Sequence, residues 1–496
     1  MPWLETAFPV RMARIALIAP AESIRDMLVR VAAAGTVEID AGGDEARDGA
    51  ARAAAAAEPS NGGSGAGPAA DGREPKLSAQ APDLTALARV GRADLIAGET
   101  QLQRYAAAAV RSESVAALAG WTPADQVPGL RAVLAGIGCA VVPLRRPRTA
   151  DAPTLVAGSA GQRALSPLVS TYGTVPYADI NPAWLAWGSY VLMFGMMFGD
   201  VGDGLLVIAA AIALRAGWPR RVGRYHAAWP FVAGAGAAAT AFGFAYGEFF
   251  GPTGVVSAFW LNPLASPIPL LLAGIGVGAA LLAGAFALGV LNRWREGGWP
   301  LALYAPSGIA GAALFAGFGV LAAGWYYHLA AVLIVGAVLA VGALVAAFAG
   351  FLAEIGGGGY GLTQASVEVF DLVVRLGSNF FSFARLAAFG LAHAALGLLV
   401  WEGTTALWHR GGVMIALAIG LFLAGSALAF ALEGLVAAVQ ALRLEYYELF
   451  SRVFVSQGRP FRPWRLPVDT GWDGDGAGAE DDPVMVGAGA PWLGEA

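Results

Sequence analysis

Ser382–Leu396 reads S-F-A-R-L-A-A-F-G-L-A-H-A-A-L, and the rest of the chain is organised around it. It sets Arg385 inside an apolar run from about Leu372 to Trp401. Such a run is roughly 30 residues, or ~45 Å of helix, enough to cross a bilayer with tilt. An arginine near the middle of such a helix costs a few kcal/mol on insertion scales, and its guanidinium does not shed its proton to escape that cost. Ser378 and Ser382 on one side and Ala388 and Ala392 on the other share its face. A face of small residues lets another helix approach closely, which puts the charge at a helix–helix seam and out of lipid. His393 follows about two turns later, ~80° around the axis. Two readings fit: an arginine paired in a polar bundle core, or a fixed positive charge on an ion pathway. We favour the second.

Composition bounds the class. Of 496 residues, 57% are hydrophobic and 14% charged, with a mean hydropathy of +0.59. Soluble domains carry nearer ~25% charge, so this is an integral membrane protein. The single cysteine, Cys139, excludes an internal disulfide and a cysteine-based metal site. A formal net charge of −5 argues against nucleic acid as a partner. There is no G-x-x-x-x-G-K-[ST] phosphate loop, and no spacing suggests a catalytic triad, a metal-ligand cluster or a cofactor site. The apolar stretch Ile15–Ala19 is too short for a secretory signal, so the first domain is expected in the cytoplasm.

Residues 1–150 are expected to form a small α/β domain from two strand–helix–strand units. The first is Ile15–Ile18, Ala21–Ala33 and Val37–Ile39; the second is Val115–Trp121, Pro123–Ile137 and Ala140–Leu144. Residues 41–82, rich in Ala, Gly, Pro, Asp and Glu and free of aromatics, read as a disordered linker, followed by a helix-compatible stretch from Leu84 to about Ser114. Residues 151–183 are a connector, 184–466 the membrane domain, and 467–496 a disordered acidic tail. Within the membrane domain, Trp184–Leu214 is followed by Arg215, Arg220, Arg221 and Arg224. Basic loops stay in the cytoplasm, so this block must turn back near Gly199–Gly204 as two short helices. Spans then follow at about Ala227–Phe250, Ile268–Leu291, Tyr304–Trp325, Leu329–Ala353, Leu372–Trp401 and Met414–Leu442. The fold class is a mainly α-helical polytopic membrane protein of about eight transmembrane helices with a small N-terminal α/β domain, both termini inside.

Several charges accompany these spans. Asp200 and Asp203 stand at the break of the hairpin, where they either cap the broken helix ends or serve an ion path. Glu248 ends the third span. Glu433 lies inside the last one, with Gln440 seven residues on and only ~20° off its face, and Arg443 near the helix end. Asp371 and Arg375, at i and i+4, either line an inner vestibule or form a surface pair.

The run R-L-x-A-F-G-L-A-H-A-A-L resembles the essential arginine helix of the V/A-type rotary ATPase membrane stator, the subunit a or subunit I family. Phe194–Leu205, F-G-M-M-F-G-D-V-G-D-G-L, resembles that family's first membrane hairpin. Glu433 and the run from Leu442 to Trp464, L-R-L-E-Y-Y-E-L-F-S-R-V-F-V-S-Q-G-R-P-F-R-P-W, resemble its last helix and C-terminal end. Gly120–Pro123, G-W-T-P, is similar to part of its cytoplasmic domain. Between the two halves of that domain the family inserts a long coiled-coil hairpin, whereas this chain offers only the linker and one helix. Asp203 also departs from the pattern, standing where relatives often have histidine or an aromatic.

The resemblance implies the static ion-channel subunit of a rotary ATPase that does not itself hydrolyse ATP. Two offset half-channels for H+ or Na+ would meet near Arg385, which faces carboxylates of the rotor ring, and Glu433, His393, Asp200, Glu248 and Arg443 would be half-channel groups. Its partners would be a ring of proteolipid c/K-type subunits, peripheral-stalk subunits, a central stalk with a nucleotide-hydrolysing head, and lipid. Its place would be the cell membrane of a prokaryote. A secondary transporter also puts charges at mid-membrane and breaks helices, but no matching pair of broken segments stands in two halves here. An inert scaffold is disfavoured by Arg385, Glu433 and Arg443 occurring together.

Overall fold

The computed structural model describes residues 9–40, 74–145, 152–155, 175–177, 179–218, 226–305, 308–356, 358–453 and 458–469. They form two compact units: Thr154–Arg459, and Val10–Pro153 together with the segment from Pro460.

The smaller unit contains β1 (Met12–Pro20), α1 (Ile24–Ala34), β2 (Glu38–Ile39), β3 (Leu77–Ser78), α2 (Leu84–Val90), α3 (Ala93–Ala107), β4 (Val110–Ser112), β5 (Val115–Pro123), α4 (Val127–Ala135), β6 (Ala140–Pro143) and β7 (Val468–Asp469). Its main sheet runs β2-β5-β1-β6, with β4 paired to β5. The two strand–helix–strand units thus interleave as a split βαβ arrangement. Alternation along β1 sends Ile15, Leu17 and Ala19 into the core, where Met27 and Leu28 of α1 meet them.

Two segments expected to lack structure help close this core. Leu77, within the expected linker, is fully buried, and β3 pairs in parallel with β7 of the expected tail. Residues 41–73 and 470–496 of those two segments lie outside the described residues. Trp464 packs against Tyr105 in a tilted arrangement with ring centroids 4.8 Å apart, donates its indole N–H to Gln101, and gives its backbone N–H to Val37 O at 2.9 Å. Arg92 bridges Asp94 and Asp469. Burial alone would raise the Asp94 carboxyl, but the Arg92 guanidinium holds it below its ordinary value. An apolar side chain and a charge pair so far along the chain cannot be placed by local pattern. The helix-compatible stretch from Leu84 is two helices broken at Gly91, whose φ of 74° caps α2, and it ends in β4.

The larger unit contains α5 (Ala183–Met197), α6 (Val201–Arg215), α7 (Trp229–Tyr246), α8 (Pro267–Tyr304, kinked at Gly298), α9 (Ile309–Tyr326), α10 (Ala330–Ile355), α11 (Gly359–Ser382), α12 (Ala384–Trp408) and α13 (Val413–Leu444). A π-helical turn, Glu445–Phe450, continues α13. Among the described residues, six helical stretches are long and apolar enough to cross a membrane. The shorter α5 and α6 form a hairpin that turns at Phe198–Asp200. The protein is therefore a mainly helical polytopic membrane protein with a small strand-containing N-terminal unit. Residues 219–225, which carry three of the four arginines used to orient the hairpin, lie outside the described residues.

The arginine segment divides at Phe383 into α11 and α12, with Arg385 in the first turn of α12. Phe383 keeps α-helical dihedrals, and Gly359–Trp408 as a whole remains one stretch long and apolar enough to span, with Arg385 near its middle. Phe383 is fully buried and presses on Gly278 of α8, where a methyl group would collide with its ring. That wedge sits where a run of continuous apolar composition divides. Ahead of the break, Asp371 and Arg375 form an exposed i,i+4 ion pair on α11, the surface alternative of the two raised for them.

Cys139 is buried, and burial also raises its thiol above the ordinary value, so it should alkylate slowly with iodoacetamide in the intact protein. Removing the Trp464 ring should cost about 3–5 kcal/mol, the usual loss for a buried tryptophan. Trp464→Ala is thus expected to speed alkylation of this sole cysteine by roughly two to three orders of magnitude. An unchanged rate would show that the C-terminal segment does not hold this core.

Candidate functional site

Among the described residues, charged and polar groups of the membrane unit form two clusters at different heights of α12 and α13. The first is built on the hairpin turn. Asp200 is the N-cap of α6 and is fully buried. Its Oδ1 accepts the N–H groups of Asp203 (3.1 Å) and Phe250 (2.9 Å), and its Oδ2 accepts that of Gly251 (2.8 Å). One carboxylate thereby caps a helix and pins the loop after α7. Phe250 is held there at φ 47°, a left-handed conformation that an aromatic residue rarely adopts. Beside it, Gly251 approaches Gly397 of α12 so closely that a Cβ on Gly397 would lie 2.7 Å from the Gly251 Cα.

Packing of that loop against α12 delivers the remaining groups. His393 is buried, with its Nδ1 in contact with Glu433 of α13 and its Nε2 4.0 Å from Asp203 Oδ2. Phe198 lies against the imidazole, ring centroids 5.1 Å apart. Glu248 is 2% exposed. Asp203 Oδ1, Glu248 Oε2 and Glu433 Oε1 are buried without hydrogen-bond partners among the described residues. Asp203, His393 and Glu433 line a cavity of about 20 Å³ together with Gly251, Gly397 and Ser426, room for about one water. Asp200, Glu248 and His393 bring ligand atoms within 4.8 Å of one another, close enough for a cation. Both Asp200 oxygens are already committed to backbone N–H groups, however, so the set can offer a cation little beyond Glu248 and His393. What the cluster does offer is a row of proton-accepting atoms from Asp203 through His393 to Glu433.

The second cluster surrounds Arg385. Its Nε donates to Ser382 O at 3.0 Å, its Nη1 to Gln440 Oε1 at 3.5 Å, and its Nη2 lies 3.8 Å from Glu448 Oε1. The side chain stays 25% exposed, next to the exposed Ala388 and Ala392. Gln440 and Glu433, seven apart on one helix, serve different clusters, Gln440 reaching Arg385 and Glu433 reaching His393. Arg443 is exposed. Deeper in the unit, Glu445 is fully buried and its Oε2 accepts the Ser189 hydroxyl at 2.5 Å. Nothing in the local sequence singles out Glu445, Glu448 or Ser189. Two glutamates three apart past the end of an apolar helix look like interfacial residues, and only the π turn and the packing of α5 bury them.

Residues 106–218 match the V-type ATPase 116kDa subunit family. The A-type ATP synthase subunit I of Thermococcus kodakarensis is 28% identical over 382 residues, covering 72% of this chain and 55% of that protein. The V-type ATP synthase subunit I 2 of Treponema pallidum is 33% identical over 144 residues, 27% of this chain and 32% of that one. The V-type proton ATPase subunit a of Neurospora crassa is 29% identical over 101 residues, 19% of this chain and 12% of that one. The resemblance to the subunit I and subunit a family is borne out. The chain spans about half the length of the A-type relatives that it matches over most of its own.

Asp200→Ala would strand three backbone N–H groups and remove a helix cap. It is expected to lower the unfolding free energy of the detergent-solubilised protein by about 2–5 kcal/mol. Asp203→Asn, at a side chain with no such bonds, should change it by less than ~1 kcal/mol. Denaturant melts of the two variants beside wild type check this. Equal losses would contradict the structural role assigned to Asp200.

Proposed function

We propose that this chain, akin to the membrane subunits of A-type and V-type ATPases, is the static half of a rotary ion motor. It would form two offset half-channels against a rotor ring and couple ion flow to ATP synthesis or hydrolysis. The observation that carries this reading is the environment of Arg385. A guanidinium that is still one-quarter exposed sits beside a face of small and apolar side chains on α12 and α13. That face includes Ala388, Ala392 and Leu399 on α12 and Leu435 and Val439 on α13, all exposed. Such a face suits lipid or another helix, and a charge at its edge suits a partner that brings the opposite charge.

The mechanism rests on electrostatics. A rotor carboxylate that faces Arg385 is favoured in its ionised form and gives up its proton. On the far side of the ring, lipid demands the neutral form, because an ionised carboxylate there is costly. Protonation through one half-channel and release through the other then turn ion flow into rotation, and the fixed charge of Arg385 blocks direct passage between the two. Glu433, His393 and Glu248 supply the outer half-channel, with Asp203 extending the row and Asp200 holding the loop that shapes it. Arg443 flanks the arginine site. The partners in this reading are the proteolipid ring, peripheral-stalk subunits and a nucleotide-hydrolysing head, in a prokaryotic cell membrane with both termini in the cytoplasm.

Arg385→Lys keeps the charge but loses the planar fork that reaches Ser382, Gln440 and Glu448 together. The variant is expected to assemble yet to retain less than about a tenth of coupled proton uptake in proteoliposomes carrying the whole complex, with ATP hydrolysis by a detached head unaffected. Uptake near the wild-type rate would remove Arg385 from the pathway and favour the secondary transporter. Glu433→Gln should slow uptake without affecting assembly; undiminished uptake would make Glu433 a packing group. With Cys139 replaced by serine, a cysteine at Trp260 should label from outside and one at Pro460 from inside. The reverse pattern would invert the topology.

A further inference from the structure

Glu448 is a buried acid for which the pathway above has no use. It stands on the π-helical turn that ends α13, 7% exposed, with its Oε1 3.8 Å from Arg385 Nη2. On a continuous α-helix, Glu448 would lie eight residues and about 80° away from Gln440, too far round for both to meet one guanidinium. A π turn takes an extra residue into its hydrogen-bonded ring, which rotates the residues beyond it backward. Gln440 and Glu448 thereby come to the same side of α13 and both reach Arg385. The turn sits at the place where the rotation is needed.

The surrounding charges make the pairing consequential. Arg443, from the same helix, acts on Arg385 as a like charge. Arg452, 7% exposed and lying over the Phe286 ring at 5.4 Å, acts on Glu448 as an opposite one. Glu448 therefore answers to two guanidiniums, Arg385 at 3.8 Å and the buried Arg452 four residues further along the chain. Its contact with Arg385 is longer than a direct charge-assisted hydrogen bond of ~2.8 Å.

We propose that Glu448 is the resting counter-ion of Arg385 and exchanges places with each arriving carboxylate. It balances the guanidinium between arrivals and turns to Arg452 when a rotor carboxylate takes Arg385. Glu448 is a positioning residue here, acting through Arg385, and the inference rests on the stator reading given above. Without the resting partner, an arriving carboxylate has no competitor and leaves Arg385 slowly.

The experiment compares Glu448→Gln, Glu448→Asp and Glu448→Asn with wild type in the whole complex, reading ATP-driven proton uptake into proteoliposomes and subunit composition after solubilisation. Gln preserves size and removes charge, so a purely structural residue would leave it near wild type. The proposal expects uptake to fall about ten-fold in Gln, the factor that ~1.4 kcal/mol makes. Asp, shorter but charged, should retain several times more uptake than Asn, equally short and neutral. Wild-type uptake in Gln, or Asp no better than Asn, overturns the proposal, as does failure of all three variants to assemble. If Gln alone fails to assemble, the comparison of Asp with Asn decides. Arg385→Gln in the same preparation separates the two readings. If it abolishes uptake while Glu448→Gln does not, only the counter-ion role falls. If both transport normally, the stator reading itself falls.

Discussion

A polar group inside a bilayer has no water to turn to, so every donor, acceptor and charge there must find its partner in the protein or line a wet cavity. The membrane unit is arranged around that constraint. Asp200 meets it by gathering three backbone N–H groups from two different segments. That single carboxylate ties the turn of the first hairpin to the loop after α7, where Phe250 is held in a left-handed conformation. Glu445 meets it at one oxygen, through the Ser189 hydroxyl, and leaves the other buried without a partner among the described residues, while Arg385 meets it through a carbonyl, an amide and a carboxylate.

The same constraint separates charges whose oxygens are committed from those whose oxygens are not. Asp200 has every oxygen committed and is best understood as a fastening. Asp203, Glu248 and Glu433 each keep an oxygen without a hydrogen-bond partner among the described residues, those of Asp203 and Glu433 on residues that line a cavity of about 20 Å³, and such oxygens are open to a proton or a water. The break at Phe383 and the π turn at Glu445–Phe450 act in a related way. Each interrupts a regular helix, one preceding Arg385 and the other carrying its counter-ion, and together they aim charges that regular helices would spread around their axes.

Much of the architecture is written in local pattern. Hydropathy marks the spans, the basic residues after Leu214 call for a hairpin, and alternation with glycine punctuation marks the two strand–helix–strand units. These are period and composition effects, carried by residues a few positions apart, and need no knowledge of which surfaces pack together. The run around Arg385 and the aspartates of the hairpin stand out for the same reason, since a charge within an apolar run is conspicuous by itself.

What the chain alone could not disclose depends on residues distant in sequence. Trp464 and Leu466 belong to the core of the N-terminal unit, more than 300 positions away from most of it, although the sequence places them at the end of the expected membrane domain. The break at Phe383 depends on Gly278, whose lack of a side chain admits the ring. The pairing of Glu433 with His393 and of Gln440 with Arg385 depends on how α12 and α13 are set against each other, because residues seven apart on one face are some two turns apart in height. Glu448 looks like an ordinary interfacial acid until a π turn rotates it toward Arg385. Local sequence determines where helices and charges lie along the chain; packing alone decides which charges meet, since that requires two surfaces and each stretch of sequence describes only one.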